Sequence, residues 1–208
     1  QNLIDYKSVL NIYIFGTHLY GCATQSSDID YIVITEDDLL DGENIKCGNN
    51  DFNFYSNDTW IEKCYKNNIN ALEVMSITDP KFIIKETVKF YVNVDLIKLR
   101  ESISATASNS WAKANKKLNV QKDYSPILAK KSLWHCFRIL MYGIQVAKYG
   151  KIVDFEEANY LYDEIVNNEN NDWKYYKNKY QSQLNNMRTE FRKYMENEWI
   201  EYKNTNVI

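Results

Sequence analysis

The sequence predicts an α+β fold in which strands come first and helices follow. Three observations carry this. Short apolar runs fill the first 55 residues, and segments with apolar residues at three- and four-residue steps dominate after residue 125. Only two prolines and six glycines interrupt 208 residues. Strands followed by helices, rather than strictly alternating with them, imply α+β rather than α/β organisation.

Residues 9–15, VLNIYIF, read as a buried strand that stops at Gly16. Residues 16–27 are small and polar, which predicts a loop with at most one helical turn. Residues 28–34, DIDYIVI, read as a second strand, and 37–50 as a polar connection. Residues 51–55, DFNFY, alternate as a half-buried strand does. Ser56 or Asp58 then caps a helix over 59–68, and a second short helix covers 71–76 before Pro80. Residues 81–120 have a mostly helical pattern, with a serine-rich stretch at 102–110. The clearest helix is 126–149, where Leu133, Phe137, Leu140 and Ile144 recur at helical steps and Gly150 follows as a C-cap. Two more helices are expected, at 155–167 and at 172–203; the second is polar and tyrosine-rich. This length suits two parts, expected at 1–100 and 101–208.

Composition excludes several classes. A net charge of −3 gives no global attraction to nucleic acid. Cys22, Cys47, Cys64 and Cys136 form no CxxC pair, which argues against a zinc site and for reduced thiols. No apolar run reaches the roughly 18 residues of a membrane span. No signal-peptide pattern opens the chain, so a cytoplasmic, membrane-free protein is expected.

The chemistry lies in residues 15–34, FGTHLYGCATQSSDIDYIVI. On a strand, residues i and i+2 share a face, so Asp28 and Asp30 project together while Ile29 and Tyr31 point to the core. Two adjacent carboxylates repel each other, which a bound divalent cation relieves. Mg²⁺ suits them: it takes oxygen ligands and is usually held by one or two carboxylates plus substrate phosphates. Gly16 lets backbone approach a ligand closely, and Thr17 adds a hydroxyl donor for a phosphate beside that metal.

This arrangement resembles the Gly-Ser…Asp-x-Asp signature of the DNA polymerase β-type nucleotidyltransferases, with Thr17 in place of Ser. Within that superfamily it is similar to the predicted nucleotidyltransferases associated with RNA repair. The matching pieces are Gly16-Thr17, Tyr20-Gly21, Ser27-Asp28-Ile29-Asp30, Asn70-Ala71-Leu72-Glu73, Gly150 to Phe155, and Ala158-Asn159. The resemblance covers about residues 10–165. It implies a small mixed sheet with helices on one side, forming a catalytic domain, then a helical accessory domain. It also implies a third carboxylate on the next central strand, for which Asp51 is the match. Asp28, Asp30 and Asp51 would then hold two Mg²⁺ ions, and Gly16, Thr17 and Ser27 would contact the nucleoside triphosphate. Glu73, on a helix beside Leu72 and Val74, is expected to be structural.

Lys131, His135 and Arg138 fall at i, i+4 and i+7 of the 126–149 helix and so share one face, opposite the apolar one. A basic stripe on a largely buried helix needs an anionic partner, and in related enzymes an accessory helix supplies cations to the triphosphate. Lys113, Lys116 and Lys117 suit either acceptor phosphates or a solvated face. His18 is a second candidate substrate contact. The tyrosines of 172–203 suit helix packing or base stacking.

The activity implied is transfer of a nucleoside monophosphate from an NTP to an acceptor hydroxyl. The acceptor is an RNA 3′ end, a small molecule or a protein side chain. The alternative is a catalytically weak nucleotide-binding module that regulates a partner protein or assembly. The two diverge at Asp51, which must face Asp28 and Asp30 for catalysis.

Overall fold

The structure, a computed structural model, describes residues 6–195. Of the helix expected at 172–203, residues 196–203 lie outside them. The chain divides into two compact units, Gln1–Asn93 and Val94–Ile208.

The first unit is a five-stranded mixed sheet in the order β3-β4-β2-β1-β5, with short helices. β1 (Val9–Phe15) runs antiparallel to β2 (Ile29–Thr35), which pairs in parallel with β4 (Asn50–Ser56). β3 (Asn44–Cys47) closes a hairpin onto β4. The polar connection expected at 37–50 therefore contains a strand. NIKC has too little apolar content to announce one, and β3 is held by ladder bonds and by the turn at Gly48, whose φ is 59°.

Both sheet faces carry apolar clusters. Ile32 and Ile34 pack with Tyr13, Trp60, Ala71 and Val74 on the face that α2 (Asn57–Tyr65) and α3 (Ile69–Met75) cover. Val33 lies on the other face with Val9 and Phe54, and Tyr31 packs against that cluster. Asp30 thus shares its face with the helix-covered core, whereas Tyr31 points to the second cluster. Ser56 caps α2 by accepting from Thr59 N at 3.2 Å, and Asn68 caps α3 by accepting from Asn70 N at 3.0 Å.

The helical pattern expected from residue 81 is overturned at its start. Ile83–Glu86 is β5, an edge strand antiparallel to β1. Buried Asn11 of β1 anchors the chain beyond it: its Oδ1 accepts from Thr87 N at 2.9 Å and Val88 N at 3.0 Å, and its Nδ2 donates to Val88 O at 2.7 Å. A long-range side-chain bond of this kind leaves no trace in local periodicity.

The second unit is helical. α4 (Leu96–Asn119) starts where Asp95 accepts from Ile97 N and Lys98 N. α5 (Pro126–Tyr149) spans the predicted 126–149, with Pro126 in its first turn and Gly150 as a left-handed C-cap. α6 (Asn159–Ile165) and α7 (Trp173–Lys193) follow. A Cβ on Gly143 of α5 would lie 2.7 Å from Ile103 Cγ2 and 3.1 Å from Phe191 Cε2, so this glycine permits close approach of α4 and α7. Tyr176 and Tyr180 of α7 are buried, and Tyr180 meets Phe137 edge-on at 5.7 Å. These two tyrosines are core residues, not a stacking surface. Among the described residues no helix is long and apolar enough to cross a membrane.

Candidate metal centre

One line of sheet register assembles the site. Phe15 pairs with Asp30, Asp30 with Asp51, and Asp51 with Lys46, crossing β1, β2, β4 and β3 in turn. Asp28 precedes β2 by one residue and shares Asp30's face. Asp28, Asp30 and Asp51 each offer a carboxylate oxygen, and these atoms all lie within 4.8 Å of one another. Asp28 is exposed, Asp30 half-buried, and Asp51 only 9% exposed. Two strands from distant parts of the chain thus bring three acids to one point on the helix-covered face. Asp51 faces Asp28 and Asp30.

Gly16 abuts the cluster. It begins α1 (Gly16–Leu19) with φ at 69°, and a Cβ there would lie 2.0 Å from Asp30 Oδ2. Any side chain would displace the carboxylate. The turn after it is fixed twice: Tyr20 N donates to Gly16 O at 3.1 Å, and Cys22 N donates to Thr17 O at 3.1 Å. Tyr20 is buried, its ring edge-on to Phe15, and its hydroxyl donates to Glu73 Oε2 at 2.7 Å. Glu73 is fully buried on α3, so it acts here as an anchor for the Gly16 turn.

Two polar atoms of that turn, Thr17 Oγ1 and His18 Nε2, are buried with no hydrogen-bond partner among the described residues. Buried polar groups are nearly always satisfied, so these two mark where a ligand atom or water belongs. Ser27 is differently placed. Its Oγ accepts from Thr24 N at 2.8 Å and lies 3.1 Å from Thr24 Oγ1, closing the turn that leads into Asp28.

Lys46 and Asn44 were not foreseen. Lys46 Nζ lies 3.1 Å from Asp51 Oδ2, and Asn44 Nδ2 donates to Asp51 Oδ1. The hydrogen bond and charge of Asp51 raise the Lys46 pKa, and Asp28 and Asp30 add to the effect. The signal was the i, i+2 spacing of Asn44 and Lys46 before a Gly-Asn turn, which fits a polar edge strand.

The other candidate residues lie in the second unit. Lys131 is exposed, His135 half-buried, and Arg138 only 4% exposed. Arg138 Nε donates to His135 Nδ1 at 3.2 Å, and its guanidinium lies 5.0 Å from the ring centre of Tyr142. α5 is buried on most sides, so no clean division into basic and apolar faces exists: Trp134, Arg138 and Tyr142 are as buried as Leu133 and Phe137. Burial holds the His135 pKa well below 6.5, and Arg138, Lys113 and Lys131 press it further down. Lys113 is exposed on α4, while Lys116 and Lys117 pair with Asp123 at 2.6 and 3.9 Å.

No family model matches the chain, and no curated protein matches it. Among solved structures, a nucleotidyltransferase-like protein from Exiguobacterium sibiricum 255-15 aligns with a TM-score of 0.31 and 13% identity. That alignment covers 93% of this chain and 70% of the other. At that distance the likeness bears on neither substrate nor mechanism.

The segment 150–158, which carries the later part of the family-like pattern, is bound to α5. Gln145 Oε1 accepts from Val153 N at 2.7 Å and Asp154 N at 2.9 Å, and Trp134 Nε1 donates to Ala158 O at 2.9 Å. Its role here is to fix the chain between α5 and α6.

Proposed function

We propose that this protein is a divalent-metal-dependent nucleotidyltransferase, moving a nucleoside monophosphate from an NTP to an acceptor hydroxyl. The observation that carries the reading is the convergence of Asp28, Asp30 and Asp51 beside a glycine that only an absent Cβ allows. The donor set fits Mg²⁺: it is all oxygen, anionic, and open on the Asp28 side. The unsatisfied Thr17 hydroxyl supports a phosphate oxygen as its partner.

In this reading the acceptor oxygen bonds to the α-phosphorus as the bond to pyrophosphate breaks, and the hydroxyl proton passes to the Asp51 carboxylate. Asp28, Asp30 and Asp51 would hold the two Mg²⁺ ions. Bound there, the pair would supply Lewis-acid stabilisation of the attacking and leaving oxygens. Thr17 donates to a non-reacting phosphate oxygen, and Gly16 keeps the backbone close to it. Lys46 neutralises Asp51 until a metal arrives. Lys131, His135 and Arg138 would meet the anionic leaving group, as an accessory helix does in the enzymes the sequence resembles. An RNA 3′ end is the acceptor we favour, on the resemblance to the RNA-repair group.

The test is turnover of each α-labelled NTP with Mg²⁺ and mixed RNA, using the parent and an Asp28→Ala/Asp30→Ala variant. Metal-dependent label transfer and pyrophosphate release by the parent alone are expected. Small-molecule and protein acceptors, offered in parallel, decide the acceptor class. Nucleotide binding without transfer to any acceptor would favour the binding-module reading, and absence of both binding and transfer would overturn the site.

A further inference from the structure

The chain has four arginines, Arg100, Arg138, Arg188 and Arg192, among 25 lysines and arginines. Three of the four line one cleft in the second unit. It lies between α4 and α7 and has a volume of about 460 Å³. Arg100, Ser104 and Ser108 stand at i, i+4 and i+8 on α4, one stripe of that helix, and Arg188 and Arg192 stand at i and i+4 on α7. Buried Phe191 also lines the cleft, and Glu101 is the one carboxylate among its described lining residues.

Among the described residues the guanidiniums of α7 hydrogen-bond to neutral oxygens. Arg188 Nη2 lies 3.4 Å from Ser108 Oγ, Arg192 Nε donates to Arg188 O at 3.0 Å, and Arg192 Nη2 lies 3.5 Å from Thr189 Oγ1. Among the described residues neither pairs with a carboxylate. In a chain that otherwise uses lysine for positive charge, this placement has a chemical meaning. The guanidinium is a rigid planar fork matched to phosphate and carboxylate oxygens, whereas lysine is a hydrated point charge. Two forks separated by one helical turn, about 6 Å along the axis, suit a ligand with more than one anionic group. The serine hydroxyls on the facing helix add neutral donors of the kind that phosphate oxygens accept.

We propose that the α4–α7 cleft is a binding site for adjacent phosphates, as in a single-stranded oligonucleotide or a polyphosphate chain. The site stands on arginine placement alone and does not depend on the carboxylate cluster of the first unit.

The experiment uses the full chain in EDTA, which removes divalent metal. Fluorescence anisotropy follows binding of a labelled 12-nucleotide single-stranded RNA across a salt series, with inorganic tripolyphosphate as competitor. Three proteins are compared: the parent, Arg188→Gln/Arg192→Gln, and Lys193→Gln. Lys193 is an exposed cation of the same helix that does not line the cleft.

The double variant should bind at least tenfold more weakly and lower the salt slope by about 1.4, the value for two phosphate contacts on a single strand. The Lys193 variant should match the parent. Competition by tripolyphosphate at concentrations near those of nucleotides would identify a polyphosphate chain as the source; competition only at far higher concentrations would identify the oligonucleotide. Equal binding by all three proteins, equal losses in both variants, or no binding by the parent would each overturn the site. If the double variant loses its helical circular dichroism, phenylglyoxal modification of the parent replaces it. Tripolyphosphate or the RNA should then shield Arg188 and Arg192 in peptide mass spectra, and unchanged modification would overturn the proposal.

Discussion

Gly16 is held by two independent constraints, a backbone at φ 69° and a carboxylate oxygen where a Cβ would be. For an L-residue the left-handed conformation costs roughly 1–2 kcal/mol. The steric overlap with Asp30 Oδ2 adds to that and moves the acid out of the cluster. Gly16→Ala is therefore expected to lower stability by about 1–2 kcal/mol and to weaken Mn²⁺ binding, read by urea unfolding and by electron paramagnetic resonance. Unchanged Mn²⁺ affinity would mean that Asp30 is not a ligand. Asp28 and Asp30 were legible in the sequence because strand geometry makes i and i+2 neighbours. Lys46 was not, because its partner Asp51 is set by cross-strand register.

At the scale of the element, α5 was the most legible segment, and it was also misread in one respect. Its bounds follow from Pro126, Gly150 and the apolar steps between them. Its basic residues suggested a second face, yet Arg138 is buried against His135 and Tyr142. A consequence is a pH dependence. His135 is kept neutral in the fold by burial and by Arg138, Lys113 and Lys131, whereas the unfolded chain protonates it near 6.5. The unfolded state therefore binds more protons below that pH, and stability falls as pH drops through it. His135→Gln keeps an acceptor for Arg138 and removes the proton. Its unfolding free energy should fall less than the parent's between pH 7 and 5.5, by at most about 1.4 kcal/mol per pH unit. Parallel curves would show that His135 does not titrate differently in the two states. The strands β3 and β5 were the least legible elements, since four-residue edge strands rest on ladder bonds and on Asn11 rather than on their own apolar content.

At the scale of the whole molecule, each of the two units buries a thiol. Burial pushes Cys64 up to about 11 in the first unit and Cys136 up to about 12 in the second, while Cys47 is exposed at the end of β3. The thiolate is the reactive form. At pH 8 iodoacetamide should label Cys47 in the native protein, and should reach Cys64 and Cys136 only after denaturation, as read by peptide mass spectrometry. Native labelling of either buried thiol at the Cys47 rate would show that its core opens readily.

The sequence by itself determined the α+β order of elements, the strand that presents Asp28 and Asp30, the glycine turn beside them and the extent of α5. Those features rest on local periodicity, and neighbouring residues carry it. Only the tertiary structure decided that Asp51 stands beside Asp30, that Lys46 and Asn44 hold Asp51, that Tyr20 ties the Gly16 turn to Glu73, and that three scattered arginines share one cleft. Apart from the hairpin contacts of Asn44 and Lys46 with Asp51, these join segments well separated in the chain. Strand pairing and helix packing set such contacts, because what is satisfied is the burial of a shared core and not any pattern within one segment.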